Sequence, residues 1–150
     1  MIFYTLTISL LLQVSTLFAP AKSLNLSGFW EGTITQDQTY YTTDFDIQLF
    51  LTDKDGKISG TSIINGEGIN AQIDLEGTCE SGISLLLQDV EIKENTVKDG
   101  MEMEWCLKNY ILSIRREKDQ IILEGHWNGK TSFDVCTPGK VYLKKGVERA

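Results

Sequence analysis

A chain of 150 residues fits one domain, and 41% apolar with 23% charged residues is ordinary for a folded globular chain. A formal net charge of -7 repels phosphate backbones and anionic lipid, which argues against nucleic acid and a charged membrane surface as partners. Glycine is frequent at 13 and proline scarce at 2, which suits many tight turns and no Pro-rich linker.

The first segment differs in kind from the rest. Ile2 to Phe18 holds no charge and is followed by Ala19-Pro20-Ala21 and then Lys22. An uncharged run ending in a small-x-small step reads as a secretory signal peptide over residues 1–21. The run is also near the length that crosses a bilayer, so an uncleaved anchor is the competing reading. Either way the remainder, a β domain over 26–145, is expected to be exported, with no membrane contact after cleavage.

From Leu26 onward the apolar period is two. Gly28 to Thr35 is the first expected strand, and it breaks into the polar, aromatic stretch Gln36 to Tyr41. Thr43 to Leu51 alternates, with Phe45, Ile47, Leu49 and Leu51 on one face and Asp44, Asp46 and Gln48 on the other. Asp55-Gly56 turns into Lys57 to Ile64, and Asn65 to Gly68 turns into Asn70 to Thr78. Glu80-Ser81-Gly82 leads into Ile83 to Ile92, and the charged run Lys93 to Gly100 reads as a mobile loop. The sixth strand falls within Met101 to Arg116, with a bend expected near Lys108-Asn109. Gln120 to Trp127 and Lys140 to Lys144 complete the set, joined through Asn128 to Gly139.

Eight consecutive strands with short connections predict an all-β fold, an up-and-down antiparallel sheet that removes its exposed edges by closing into a barrel. The aliphatic face carries Trp30, Ile47, Leu49, Leu51, Ile58 and Ile73, continuing through Leu75, Leu85, Leu87, Leu112, Ile114, Ile121, Leu123, Val141 and Leu143. Gly32, Gly60, Gly77 and Gly125 share that face, where a small barrel needs close backbone approach. An outer-membrane barrel would need the opposite facing, apolar outside and polar inside.

Strand parity sets an expectation for Cys79, Cys106 and Cys136. Cys106 precedes or opens the sixth strand and Cys136 precedes the eighth, so both lie at one end of the barrel. Cys79 closes the fourth strand at the other end. A Cys106–Cys136 disulfide with Cys79 free is therefore expected. One His and no Cys-x-x-Cys pair leave no zinc spacing, and no cofactor or metal is expected. Asp53-Lys54-Asp55-Gly56 lacks the register of a calcium loop and reads as a turn. His126 alternates out of phase with Gly125 and Trp127, so it faces outward with Glu124, and no catalytic residue is expected. Asn25-Leu26-Ser27 is a glycosylation sequon, relevant in a eukaryotic host.

Gly28-x-Trp30 on the first strand, with Gly56-Lys57-Ile58-Ser59-Gly60-Thr61, resembles the avidin and streptavidin group. The same Gly-x-Trp step also opens lipocalins, although their C-terminal helix is missing. The set Gly28-x-Trp30-x-Gly32, Trp105-Cys106-Leu107-Lys108, Leu123-x-Gly125-x-Trp127 and Cys136-Thr137-Pro138-Gly139 resembles a group of secreted bacterial β domains to which no activity is attached. The resemblance implies an avidin-like or lipocalin-like (calycin-like) barrel. It does not imply biotin binding, because Gly32, Ile34 and Gln36 stand near the places where avidins use polar groups. The functional expectation is a secreted non-enzymatic binding module for a small apolar ligand, with Trp30, Tyr40, Trp105 and Trp127 as candidate pocket residues. For Trp30 and Trp127 the competing role is plugging the barrel, and for Trp105 packing around the disulfide. The alternative function is a structural or inhibitory module that meets an extracellular protein through its barrel-end loops.

Overall fold

The computed structural model describes residues 24–38, 42–97 and 104–146. The segment 1–21, expected to be a leader, and Tyr40 lie outside the described residues. Strands β1 (Gly28–Asp37), β2 (Thr42–Lys54), β3 (Lys57–Gly66), β4 (Ile69–Glu80), β5 (Ser84–Asn95), β6 (Leu107–Glu117), β7 (Gln120–Lys130) and β8 (Gly139–Lys145) follow in chain order. Each pairs antiparallel with the next, and β1 pairs with β8 from Trp30↔Lys145 to Ile34↔Val141, closing the barrel. The expected all-β, eight-stranded up-and-down barrel is the fold observed.

Turn chemistry explains the short connections. Asp55-Gly56 and Glu67-Gly68 are two-residue turns in which both residues have positive φ, at 54° and 85° and at 52° and 76°. That backbone matches the right-handed twist of the flanking strands, and glycine adopts its half without strain.

The interior is filled by alternate residues of every strand. Trp30, Ile47, Leu49, Ile73, Leu85, Leu112, Leu123 and Leu143 are all at most 1% exposed. The expected inward face holds, with Ile114 and Ile121 half-buried against it. Ile122 has outward parity, yet it is buried between its cross-strand partners Arg115 and Lys144 and stays outside the core cluster. Ser62, Asp89, Lys108 and Tyr110 also point inward and were not anticipated.

The glycines on the inward face mark where backbones press together. A methyl group on Gly32 would overlap the Tyr142 carbonyl, on Gly60 that of Phe50, on Gly77 that of Leu86 and on Gly125 that of Ile111. Each obstacle is backbone in a neighbouring strand, which cannot rotate aside. Gly125→Ala is therefore expected to destabilise the protein at the upper end of about 1–3 kcal/mol, measured by urea denaturation. A neutral substitution would show that β6 and β7 are free to separate there.

One sequence expectation needs correction. β5 does not end at Ile92 but runs to Asn95, so Lys93 belongs to a strand and not to a loop. There it pairs with Asp74 and Glu91 on the surface. Near Lys108-Asn109, where a bend is expected, β6 runs without a break in its pairing with β7. The departure belongs to β5. Its register against β4 shifts twice, leaving Val90 and Lys93 without opposite partners, and its pairing with β6 stops at Gln88↔Asn109. Bulges of this kind bend a strand and re-aim its side chains.

Candidate functional site

The two ends of the barrel are built differently. At the amino-terminal end, Leu26 and Trp30 are fully buried. The Trp30 indole donates to the Leu26 carbonyl at 3.0 Å, and the Leu26 amide donates to Asp53 Oδ2 at 3.0 Å. Asp53 also accepts from the Gly56 amide at 2.9 Å, and its own amide donates to Ser27 Oγ at 2.8 Å. Asp53 is thus committed to backbone, as expected for a turn rather than a calcium loop. The Lys145 ammonium lies over the Trp30 ring at 5.6 Å. Leu26 and Trp30 fill the barrel core at this end, and a more polar cleft of about 770 Å³, lined by Leu24, Asp53, Gly56, Cys79, Ile114 and Arg116, opens beside them.

Cys79 sits half-buried at that end with a free thiol, and burial is the main cause that pushes its thiol above the ordinary value. A raised thiol is a poor nucleophile at neutral pH.

The opposite end carries the Cys106–Cys136 disulfide, with Cα atoms 6.4 Å apart. The expected pairing is the one observed. It closes a loop with a sequence separation of 30. Cys106→Ser with Cys136→Ser is expected to cost about 3–4 kcal/mol in denaturant unfolding, from the chain-entropy relation for a loop of this length. Cys79→Ser is expected to cost less than half of that, and the reverse order would contradict the assignment of structural roles.

A cavity of about 180 Å³ opens at the disulfide end. Its walls are Ile34, Phe45, Ile64, Ile69, Trp105 and Trp127. Trp127 is held by its indole N–H, which donates to the Thr35 carbonyl at 2.7 Å and so fastens β7 to β1. Trp105 precedes β6 and reaches the Thr96 carbonyl at a longer 3.4 Å. Glu104 stands at the rim, accepting from the Ser132 hydroxyl at 2.7 Å and its amide at 3.0 Å. Those bonds hold its carboxyl below the ordinary range. The candidate pocket residues therefore separate: Trp105 and Trp127 line one cavity, and Trp30 belongs to the filled core at the far end.

Lys108 forms part of the cavity lining, and only 4% of its side chain is exposed. Its ammonium is 2.9 Å from Asp89 Oδ2 and donates to the Cys106 carbonyl at 2.9 Å. The same Asp89 oxygen accepts the Lys108 backbone N–H at 2.9 Å, just beyond the point where β5 leaves β6. A side-chain carboxylate thus replaces the missing strand carbonyl. Tyr110 lies deeper on β6 with Asp89 and Ser62 as polar neighbours, and burial with the Asp89 charge pushes its phenol well above the ordinary value. Asp89 Oδ1 and the Tyr110 hydroxyl have no hydrogen-bond partner among the described residues.

Burial lifts the Asp89 carboxyl above its ordinary range, while the Lys108 ammonium draws it back. Parity was the signal that would have found this cluster: Lys108 and Tyr110 continue the series of Leu112 and Ile114, and Asp89 that of Leu85 and Leu87. His126 is exposed on the outer face.

Comparison with protein-family profiles, with curated proteins and with solved structures gives no match for this chain. The fold and the cavity therefore define the class on their own terms: a closed eight-stranded antiparallel barrel whose core is filled by Leu26 and Trp30 at one end and opens into a small apolar cavity at the other.

Proposed function

We infer that the chain is an exported, non-enzymatic binding module of the avidin or lipocalin kind, holding a small apolar molecule in the disulfide end of its barrel. The observation that carries this reading is the cavity of about 180 Å³ walled by Ile34, Phe45, Ile64, Ile69, Trp105 and Trp127. Apolar walls with a few placed polar groups are the usual construction of a ligand site. The volume favours one ring or a short chain, since a dry cavity of about 150 Å³ accepts benzene. Export is supported by the uncharged run before Ala19-Pro20-Ala21 and by a disulfide, which persists in oxidising compartments. A binding role rather than catalysis is supported by the ionisable groups at the cavity, each already engaged: Lys108 with Asp89, and Glu104 with Ser132.

Titration of the purified domain with single-ring hydrocarbons, short-chain alcohols, hydrophobic dyes and biotin, followed by tryptophan fluorescence, tests the reading. A saturable response to the single-ring and short-chain probes is expected, and none to biotin. Silence toward all of them overturns it.

A second reading, attachment to an extracellular protein through the barrel end, rests on Phe133 and Val135. They are 90% and 77% exposed in the connection between β7 and β8. Capture of a partner from extracellular fractions that is lost in Phe133→Ser/Val135→Ser, with small-molecule titration unchanged, would favour it.

A further inference from the structure

We propose that the ligand carries one uncharged hydrogen-bond acceptor, a carbonyl or hydroxyl oxygen, which takes the remaining ammonium N–H of Lys108. This rests on the cavity reading and specifies its polar contact. A lysine ammonium has three donors. In the barrel one is directed to Asp89 Oδ2 and one to the Cys106 carbonyl. No third acceptor is recorded among the described residues. The ammonium lies 5.9 Å from the centroid of the Trp127 ring, and both residues line the cavity. That position over the ring is a weak cation–π contact, so the ammonium keeps one N–H without an oxygen acceptor at the border of the space a ligand would fill. A donor left unpaired in such a place carries a desolvation cost that a ligand oxygen would remove.

The fold alone does not require this lysine. The gap where β5 leaves β6 is closed by the Asp89 side chain accepting the backbone N–H of residue 108. Any residue except proline at 108 supplies that N–H, and an asparagine at 89 could accept it. A buried ion pair is not needed for the ladder and is rarely the most stable filling of a core. Its presence at the cavity wall points to a polar contact with a ligand.

The acceptor's charge follows from the surroundings. Asp89 already offsets the ammonium at 2.9 Å. Glu104 stands at the rim with its carboxyl held below the ordinary range, and the whole chain carries a formal charge of -7. An anion would enter against these charges and would lose its own hydration. A ketone, ester or alcohol oxygen accepts the N–H without bringing a charge into an apolar site.

The test uses three probes of matched shape: acetophenone, α-methylstyrene and benzoate. Their dissociation constants are measured by calorimetry on the wild type and on Lys108→Met/Asp89→Asn, which removes the ion pair without leaving a buried charge unpaired. Nitrogen-15 NMR of the Lys108 ammonium provides a readout independent of folding. The expected result is that the ratio of acetophenone to α-methylstyrene affinity falls about tenfold or more in the variant, as loss of a charged hydrogen bond implies. In the wild type, acetophenone moves the ammonium resonance and α-methylstyrene does not. An unchanged ratio, with both probes binding, overturns the Lys108 contact and leaves the cavity reading intact. A preference for benzoate that the variant abolishes overturns the uncharged class. Failure of all three probes to bind the wild type overturns the cavity reading itself, and this inference with it.

Discussion

Lys108→Met is expected to destabilise the protein by about 3–5 kcal/mol at neutral pH, the cost of removing one partner from a buried ion pair. The side chains of Lys108 and Asp89 are 4% and 0% exposed, so water cannot take over from the missing ammonium. Adding Asp89→Asn to the same chain should recover most of the loss. The asparagine oxygen can still accept the backbone N–H of residue 108, and no charge is left buried. A double-mutant cycle in urea isolates the coupling.

The single variant also carries a pH signature. Burial lifts the Asp89 carboxyl above its ordinary value of 3.8, and Lys108 is the main opposing influence. Without the lysine the folded-state value rises further, so the folded protein binds this proton more tightly than the unfolded chain does. The deficit relative to wild type is therefore smallest below the unfolded value and grows as pH rises through the folded one. A deficit that grows on acidification, or a double variant as unstable as the single, would contradict the pairing.

Trp30→Ala should cost a similar amount, about 3–5 kcal/mol, because it empties a fully buried volume. The loss reaches beyond the ring. Trp30 holds the Leu26 carbonyl, and Leu26 is tied in turn to Asp53 and the β2–β3 turn. Trp30→Phe keeps most of the volume and gives up the indole hydrogen bond, so about 1–2 kcal/mol is expected. The phenylalanine variant remains folded and should bind small probes as the wild type does, because the cavity is at the other end. If Trp30→Phe abolished binding while leaving stability untouched, Trp30 would be a ligand wall and the placing of the ligand cavity at the opposite end from Trp30 would fail.

The alternation of aliphatic residues from Trp30 to Leu143 made the barrel legible, since period two with Asp-Gly and Glu-Gly turns admits little else. The disulfide was legible for the same reason: strands of equal parity place Cys106 and Cys136 at one end. The inward glycines could be picked out because an apolar row interrupted by glycine at Gly32, Gly60, Gly77 and Gly125 needs a steric cause. The polar cluster was not foreseen, although parity alone places Lys108 and Asp89 inside. A hydrophobic-pattern reading assigns lysine and aspartate to the outside by type, and only the paired geometry offsets the cost of burying them. The bulges at Val90 and Lys93 are likewise invisible in composition, because they depend on how β5 must bend to leave β6. Trp30 and Trp127 could not be told apart in sequence. Both sit inward near strand ends, and what separates them is that Leu26 packs over one, while the other borders a cavity among the described residues.

The indole N–H resonances of the three tryptophans offer the most direct test of a barrel that takes a small apolar ligand beside Trp105 and Trp127 and not beside Trp30. Each has its own partner: Leu26 for Trp30, Thr96 for Trp105 and Thr35 for Trp127. Titration with benzene, followed by nitrogen–proton correlation NMR, should move the Trp105 and Trp127 signals together and saturably while Trp30 stays fixed. A shift confined to Trp30, or no saturable shift at any of the three, would contradict the account.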